Sequence, residues 1–189
     1  MADDDGNVRV LAKGRYLTFI DDAGWEYVTR PHITGVVVIV AVTADEGIVL
    51  VEQYRPAVKQ RVIELPAGLV GDIQGQQAES MSDAAARELE EETGYRAAEM
   101  VPLFDGPIAV GVSDEIVSFF HARGLTRVGP GGGDDTEDIT VHEVALPDLR
   151  AFLAARQAKG LGVDPKLFAG LFLAGVSLPA ARASWPDRS

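Results

Sequence analysis

In the stretch ARELEEETGY (residues 86–95), four glutamates and one arginine take all but one of the positions from Arg87 to Glu92, Leu89 being the other, and the run stops at Gly94. On a helix, Glu88, Glu91 and Glu92 stand at i, i+3 and i+4 and share a face. Like charges at that spacing cost roughly 0.2–0.5 kcal/mol per pair. Carboxylates near a helix C-terminus also oppose the macrodipole, at roughly 0.3–1 kcal/mol each. Arg87, four residues before Glu91, offsets only part of this. Two readings fit the pattern: a solvated acidic helix face, or a site completed by a cation. Mg²⁺ and Mn²⁺ suit the second, because they take carboxylate, carbonyl and water oxygens.

The elements that must position this cluster can be read from periodicity and punctuation. Residues 8–30 read as two or three short strands with turns at Lys13-Gly14 and Asp21–Gly24. The apolar, β-branched run ITGVVVIVAV (33–42) reads as a buried strand, too short to span a bilayer. Strands at 34–43 and 48–54 are joined by ADEG, a hairpin-like turn. RVIEL (61–65) is a short strand ending at Pro66, and residues 66–79 read as a loop. A helix then starts near Ser80 or Ser82 and ends at Gly94, with Leu89 and Ala85 pointing into the core. Strands follow at 100–104, 115–123 and 137–146. GPGGGDDTED (129–138) reads as a mobile loop. Helices are expected at 147–158 and at 165–176, the second opening from Asp164-Pro165. The order describes an α+β chain with a mixed sheet rather than regular βαβ alternation.

Composition narrows the class. With 189 residues and 47% apolar residues the chain can bury a real core. A net charge of −12 argues against nucleic-acid and anionic-membrane partners. Without cysteine there is no thiolate zinc site and no cysteine nucleophile. The N-terminus MADDDGN is unlike a signal peptide, so a cytoplasmic location is expected. There is no phosphate-binding GxxxxGK[ST] loop and no GxSxG elbow. His32, His121 and His142 are far apart in sequence and form no HxxxH pair.

Glu79, then seven residues, then Arg87-Glu88-Leu89-Glu90-Glu91-Glu92-Thr93-Gly94-Tyr95 resembles the Nudix box, G-x5-E-x7-R-E-U-x-E-E-x-G-U with U apolar. VEQYRP (51–56), ELPAG (64–68), SDE (113–115) and EDITVHEVALP (137–147) extend the resemblance to the ADP-ribose pyrophosphatase and nucleoside-diphosphate-sugar branch, over roughly residues 15–175. It implies an α/β/α sandwich around a mixed β-sheet. The expected organisation is an N-terminal strand-rich segment at 1–32 that makes a dimer contact, a Nudix domain at 33–178 and a loosely ordered tail at 179–189. Two departures stand out. Ile73 occupies the place of the box glycine; Gly68 is its counterpart, which implies a five-residue insertion before Glu79. Val110 stands about fifteen residues past the box, where enzymes for ADP-ribose tend to carry proline, and Pro107 is three positions early.

The resemblance implies roles for particular residues. Glu88, Glu91, Glu92 and the carbonyl of Ala67 would hold two or more Mg²⁺ or Mn²⁺ ions, while Arg87 would pair with carboxylates and hold the helix. Glu137, with Asp134, Asp135 and Asp138 as neighbours, is the candidate base, Glu91 and Arg87 completing the catalytic set. Arg55 is read either as a fork for a phosphate or as an ion-pair partner of Glu64, which is itself a substrate-site candidate. Glu115 is a further substrate-site or structural candidate. Trp25, near Tyr27 and Phe19, would stack on a purine base or fill an interface. The implied activity is metal-dependent hydrolysis of the diphosphate of ADP-ribose or a related nucleotide sugar by a homodimer. The alternatives are another nucleotide-linked substrate such as GDP-mannose, or a non-catalytic nucleotide-binding module.

Overall fold

The computed structural model describes residues 8–71, 79–133 and 137–178. In chain order the strands and helices are β1 (Val8–Lys13), β2 (Thr18–Asp22), β3 (Trp25–Thr29), β4 (Gly35–Ala41), β5 (Gly47–Arg55), β6 (Gln60–Glu64), β7 (Ala67–Val70), α1 (Met81–Thr93), β8 (Tyr95–Arg96), β9 (Glu99–Pro107), β10 (Ile116–Arg123), β11 (Thr126–Arg127), β12 (Ile139–Ala145), α2 (Leu149–Gln157), β13 (Gly162–Val163) and α3 (Lys166–Leu173). A 3-10 turn at Leu146–Asp148 leads into α2. The insertion before Glu79, with Ile73, and the tail 179–189 lie outside the described residues, as do Asp134 and Asp135.

Strand β4 organises the core. It pairs in parallel with β10 and antiparallel with β7, in a sheet ordered β7-β4-β10-β9. Side chains alternate across a strand, so β4 feeds two cores. Val38 and Val40 join Leu149 and Leu153 of α2 and Leu167 and Leu171 of α3 on one face. Val37, Ile39 and Ala41 meet Ala84, Ala85 and Leu89 of α1 on the other. The helices thus cover opposite faces of β4, the α/β/α arrangement expected, and the buried run is the strand expected at 33–42.

The ADEG reading needs correction. The turn forms, with the Thr43 N–H donating to the Gly47 carbonyl at 2.8 Å. The strands on either side share only one bridge, Val42 with Ile48, and then separate. Both edges of β4 are taken by β7 and β10, so β5 joins a second sheet, β12-β5-β6-β13. The loop expected at 66–79 is also partly wrong, because Ala67–Val70 is β7, paired on β4 with Gly68 opposite Val37. Pairing there supplies backbone partners to a half-buried segment whose side chains, Val70 apart, show little strand preference.

At the N-terminus β1, β2 and β3 form a meander joined to the body where the Val28 N–H donates to the Val112 carbonyl at 2.9 Å. Every residue of β1 is exposed.

Residues 129–133, whose composition suggests a mobile loop, are hydrogen-bonded to the end of α1. Val128 and Gly129 donate to the Gly94 carbonyl at 2.8 and 3.1 Å, Gly132 to the Glu92 carbonyl at 2.8 Å, and Gly133 to the Glu91 carbonyl at 3.0 Å. The glycine run caps the end of α1, whose last carbonyls otherwise lack partners. A Cβ on Gly131, where φ is +69°, would lie 2.3 Å from the Thr93 carbonyl carbon. Gly131→Ala is therefore expected to destabilise the fold by more than the roughly 1–2 kcal/mol of left-handed strain alone. Gly160→Ala, at a positive φ with open space around it, should cost only that strain. Urea unfolding of both variants checks the difference.

Candidate active site

The box helix is defined at both ends by its sequence. Ser80 accepts the Asp83 N–H at 3.1 Å as N-cap. Gly94 closes it with φ +73°, its N–H donating to the Glu90 carbonyl at 2.9 Å. Burial of Ala84, Ala85 and Leu89 presses α1 onto β4 and fixes which glutamates turn inward. Glu92 is only 2% exposed, and one carboxylate oxygen accepts the Ala67 N–H at 3.0 Å. Glu88 closes over β7 so tightly that a Cβ on Gly68 would lie 1.9 Å from its carboxyl carbon. Glycine in ELPAG is thus a matter of space for a carboxylate.

Arg87 gathers what remains of the cluster. It donates to both oxygens of Glu79 at 3.0 and 3.2 Å, to Glu88 at 2.8 Å, to Glu91 at 3.1 Å and to the Leu69 carbonyl at 3.4 Å. Burial works against its charge, but the hydrogen bond to Glu79 and the nearby Glu88 overcome this and hold its pKa above the ordinary value. Arg87 therefore ties α1 to β7.

A cavity of about 690 Å³ opens beside Glu88 and Glu92. Glu137, Arg55, Glu64, Ala67 and Glu115 also line it, so most of the residues singled out by sequence meet there. Glu91 and Trp25 do not line it. The Glu91 side chain is 54% exposed on the Arg87 side of the helix, and Trp25, 63% exposed, lies at the outer end of β3. Glu88 and Glu92 thus turn inward while Glu91, expected on the same face, points to the rim. Arg55 makes the ion pair considered for it, with bidentate bonds to Glu64 of 2.7 and 2.6 Å, and still faces the cavity.

Sequence reading missed two lining cations, Arg30 and Lys166. Arg30 pairs with Glu115 at 2.9 Å and Lys166 with Asp164. Lys166 had a signal, since Asp164-Pro165 marks a helix start directly before it. Arg30, in the TRPH segment, had none.

Each lining cation already has a carboxylate partner, and the wall also carries Glu88, which Arg87 holds, together with Glu92 and Glu137. The consequence shows at Glu92. Burial raises its pKa well above the carboxylate range, the Ala67 N–H opposes this, and the charges of Glu88 and Glu137 raise it further. A buried carboxylate beside like charges, among oxygen donors only, fits a hard divalent cation. Among the described residues no three acidic or histidine side chains converge into a ready-made cage. Mg²⁺ does not require one, since it keeps several waters and commonly uses one or two carboxylates plus substrate phosphates.

A family model described as NUDIX domain matches residues 32–161. The chain belongs to the Nudix family. It is similar to the methanol dehydrogenase activator of Bacillus methanolicus, 32% identical over 124 residues that cover 65% of this chain and 64% of that protein. It is also similar to the ADP-ribose pyrophosphatase of Mycobacterium tuberculosis, 41% identical over 121 residues covering 62% and 56% of the two chains. The chain thus spans less than two thirds of the length of these relatives. A solved structure titled ADP compounds hydrolase shares the fold, with a TM-score of 0.64 at 21% identity over 89% of this chain and 90% of that one. In this Nudix domain, Arg87 to Gly94 of the box lie on α1 and its C-cap, and Glu79 is held against them by Arg87.

The charge of Glu92 gives a stability prediction whose sign is fixed. Its folded pKa is raised, so the folded state holds the proton to higher pH than the unfolded chain. Metal-free stability is then lost as pH rises from the ordinary carboxylate range through the raised pKa. Glu92→Gln keeps an acceptor for the Ala67 N–H and removes the charge. At about pH 8 it is expected to raise the metal-free Tm by roughly 2–8 °C, and the difference should vanish in acid. Mg²⁺ at 100 times its Kd should stabilise the wild type by about 2.7 kcal/mol and the variant much less. Thermal melts with and without Mg²⁺ at both pH values check this.

Proposed function

We propose that this Nudix domain hydrolyses the diphosphate bond of a nucleoside-diphosphate sugar, with ADP-ribose as the first substrate to test. Water adds to one phosphorus, the bridging P–O bond breaks, and a nucleoside monophosphate and a sugar phosphate leave. The observation that carries the reading is the buried Glu92 carboxylate, crowded by Glu88 and Glu137 in a cavity also lined by Arg30, Arg55 and Lys166. The name of the mycobacterial relative supports ADP-ribose in particular.

Glu88, Glu92 and the Ala67 carbonyl, with Glu91 nearby on the rim, would hold Mg²⁺ or Mn²⁺. When bound, such ions neutralise diphosphate charge and make a coordinated water more acidic. The remaining work falls to side chains of the chain. Arg55 presents a planar fork to a phosphate, kept in orientation by Glu64. Arg30 and Lys166 line the same cavity and add positive charge beside an anionic substrate. Glu137 lines the same cavity as Glu88 and Glu92 and takes the proton of the attacking water as general base. Arg87 keeps the helix seated while charge enters. Val8, Val10, Leu11 and Trp25, all exposed on the N-terminal meander, support the homodimer that the resemblance implies.

ADP-ribose with Mg²⁺ should yield AMP and a ribose phosphate. A panel including GDP-mannose, ranked by kcat/KM, identifies the preferred group. Glu137→Gln is expected to lower kcat by about 10²–10⁴-fold, the usual range for a general base, with KM little changed. Glu91→Gln and Glu92→Gln should also impair turnover. A folded wild type inactive on every diphosphate in the panel overturns the proposal.

A further inference from the structure

Arg61 stands on β6, separated by β5 from the strand that follows Glu137, and still reaches across. Its Nε donates to Glu52 Oε1 at 2.8 Å, and a terminal nitrogen donates to the Glu52 carbonyl at 3.1 Å. The same guanidinium donates to Asp138 Oδ2 at 2.7 Å and to the Asp138 carbonyl at 3.1 Å. It therefore grips side chain and backbone of the residue directly after Glu137. Glu52 is itself fixed, because its other oxygen lies 3.0 Å from His142 Nε2 on β12, and that ring packs edge-on against Phe152 with centroids 5.2 Å apart.

The opposite side of Glu137 is also constrained. A Cβ on Gly133 would lie 2.2 Å from Glu137 Oε2. Glu137 therefore packs on a backbone whose N–H is bonded to the Glu91 carbonyl at the end of α1. The ladder of β12 begins only at Ile139, opposite Gln53, so strand pairing alone does not hold residue 137. Energetics points to placement as the role of Arg61. The Asp138 side chain is 83% exposed, and exposed pairs contribute only about 0–1 kcal/mol to stability.

We infer that Arg61 is a positioning residue which, acting through Asp138, fixes Glu137 against Gly133 in the wall of the cavity that Glu92 also lines. The inference rests on the reading of Glu137 as base given above. Misplacing a reacting group by about 1 Å can cost 10²-fold, so the effect falls on kcat rather than on binding.

The test is a double-mutant cycle in the full chain, assayed on the best substrate of the panel. Arg61→Ala is expected to lower kcat by about 10–100-fold, with KM within about twofold, and to have no further effect in a Glu137→Gln background. Arg61→Lys, which keeps the charge and loses the fork, should recover only part. If Arg61→Ala costs the same in both backgrounds, or nothing, the inference is overturned while the assignment of Glu137 stands. If Glu137→Gln itself leaves kcat intact, the base reading fails instead. Hydrogen exchange of the metal-free chain then decides the positioning on its own. Arg61→Ala should speed amide exchange at Gly132 and Gly133 by about 10-fold or more, and unchanged exchange there refutes it.

Discussion

The structure depends on keeping an ionisable carboxylate out of water at the wrong end of a helix. Glu92 is buried near the C-terminus of α1, where desolvation and the helix dipole both oppose its charge. The surroundings answer locally. The Ala67 N–H gives the carboxylate one partner, and the glycine run 131–133 supplies donors to the helix-end carbonyls. Arg87 draws Glu79, Glu88 and Glu91 to itself, so that less of the acidic cluster presses on Glu92. Packing of Leu89 and Ala85 on β4 turns the carboxylate inward in the first place.

Around that group the cavity separates two kinds of charge. Arg30, Arg55 and Lys166 are each matched to a carboxylate, so they are oriented before any ligand arrives. Such pre-formed pairs lower the ordering cost of binding a phosphate. Glu88, Glu92 and Glu137 bring further negative charge to the same wall, and burial together with the charges of Glu88 and Glu137 raises the proton affinity of Glu92. Under the proposed function an anionic ligand would meet an anionic wall, and cations between them would make metal and substrate mutually dependent occupants of the site.

Much of this was legible in the sequence. Charge crowding at 87–92, the cap at Gly94 and the β-branched run before Val42 marked α1 and β4, with Leu89 and Ala85 on the core-facing side. Glu88, Glu92, Glu137, Arg55 and Glu64 were singled out by spacing and resemblance, and they line one cavity. What escaped depends on pairing between distant segments. The separation of β4 and β5 into different sheets follows from which strands occupy the edges of β4, and no local pattern records that. The short strands β7, β8, β11 and β13 exist because of their partners. At Gly129–Gly133 composition signals conformational freedom and does not disclose that small size permits contact with α1. Glu91 illustrates the limit of periodicity: it shares a nominal helix face with Glu88, yet Arg87 holds it at the rim.

The split between β4 and β5 also bears on how the chain folds. Adjacent in sequence, the two strands take partners from much later in the chain: β4 pairs with β10, Val38 lying opposite Phe119, and on β5 Glu52 meets His142 across 90 residues. Contacts of such span close large loops before they return any energy, which slows folding and leaves them among the last to form. The link between α1 and β7 spans only 25 residues, from Glu92 to Ala67. A nascent chain that has emerged only as far as α1 can therefore gather its carboxylates early. The wall that carries Glu137 needs β12, which lies later in the chain than α1.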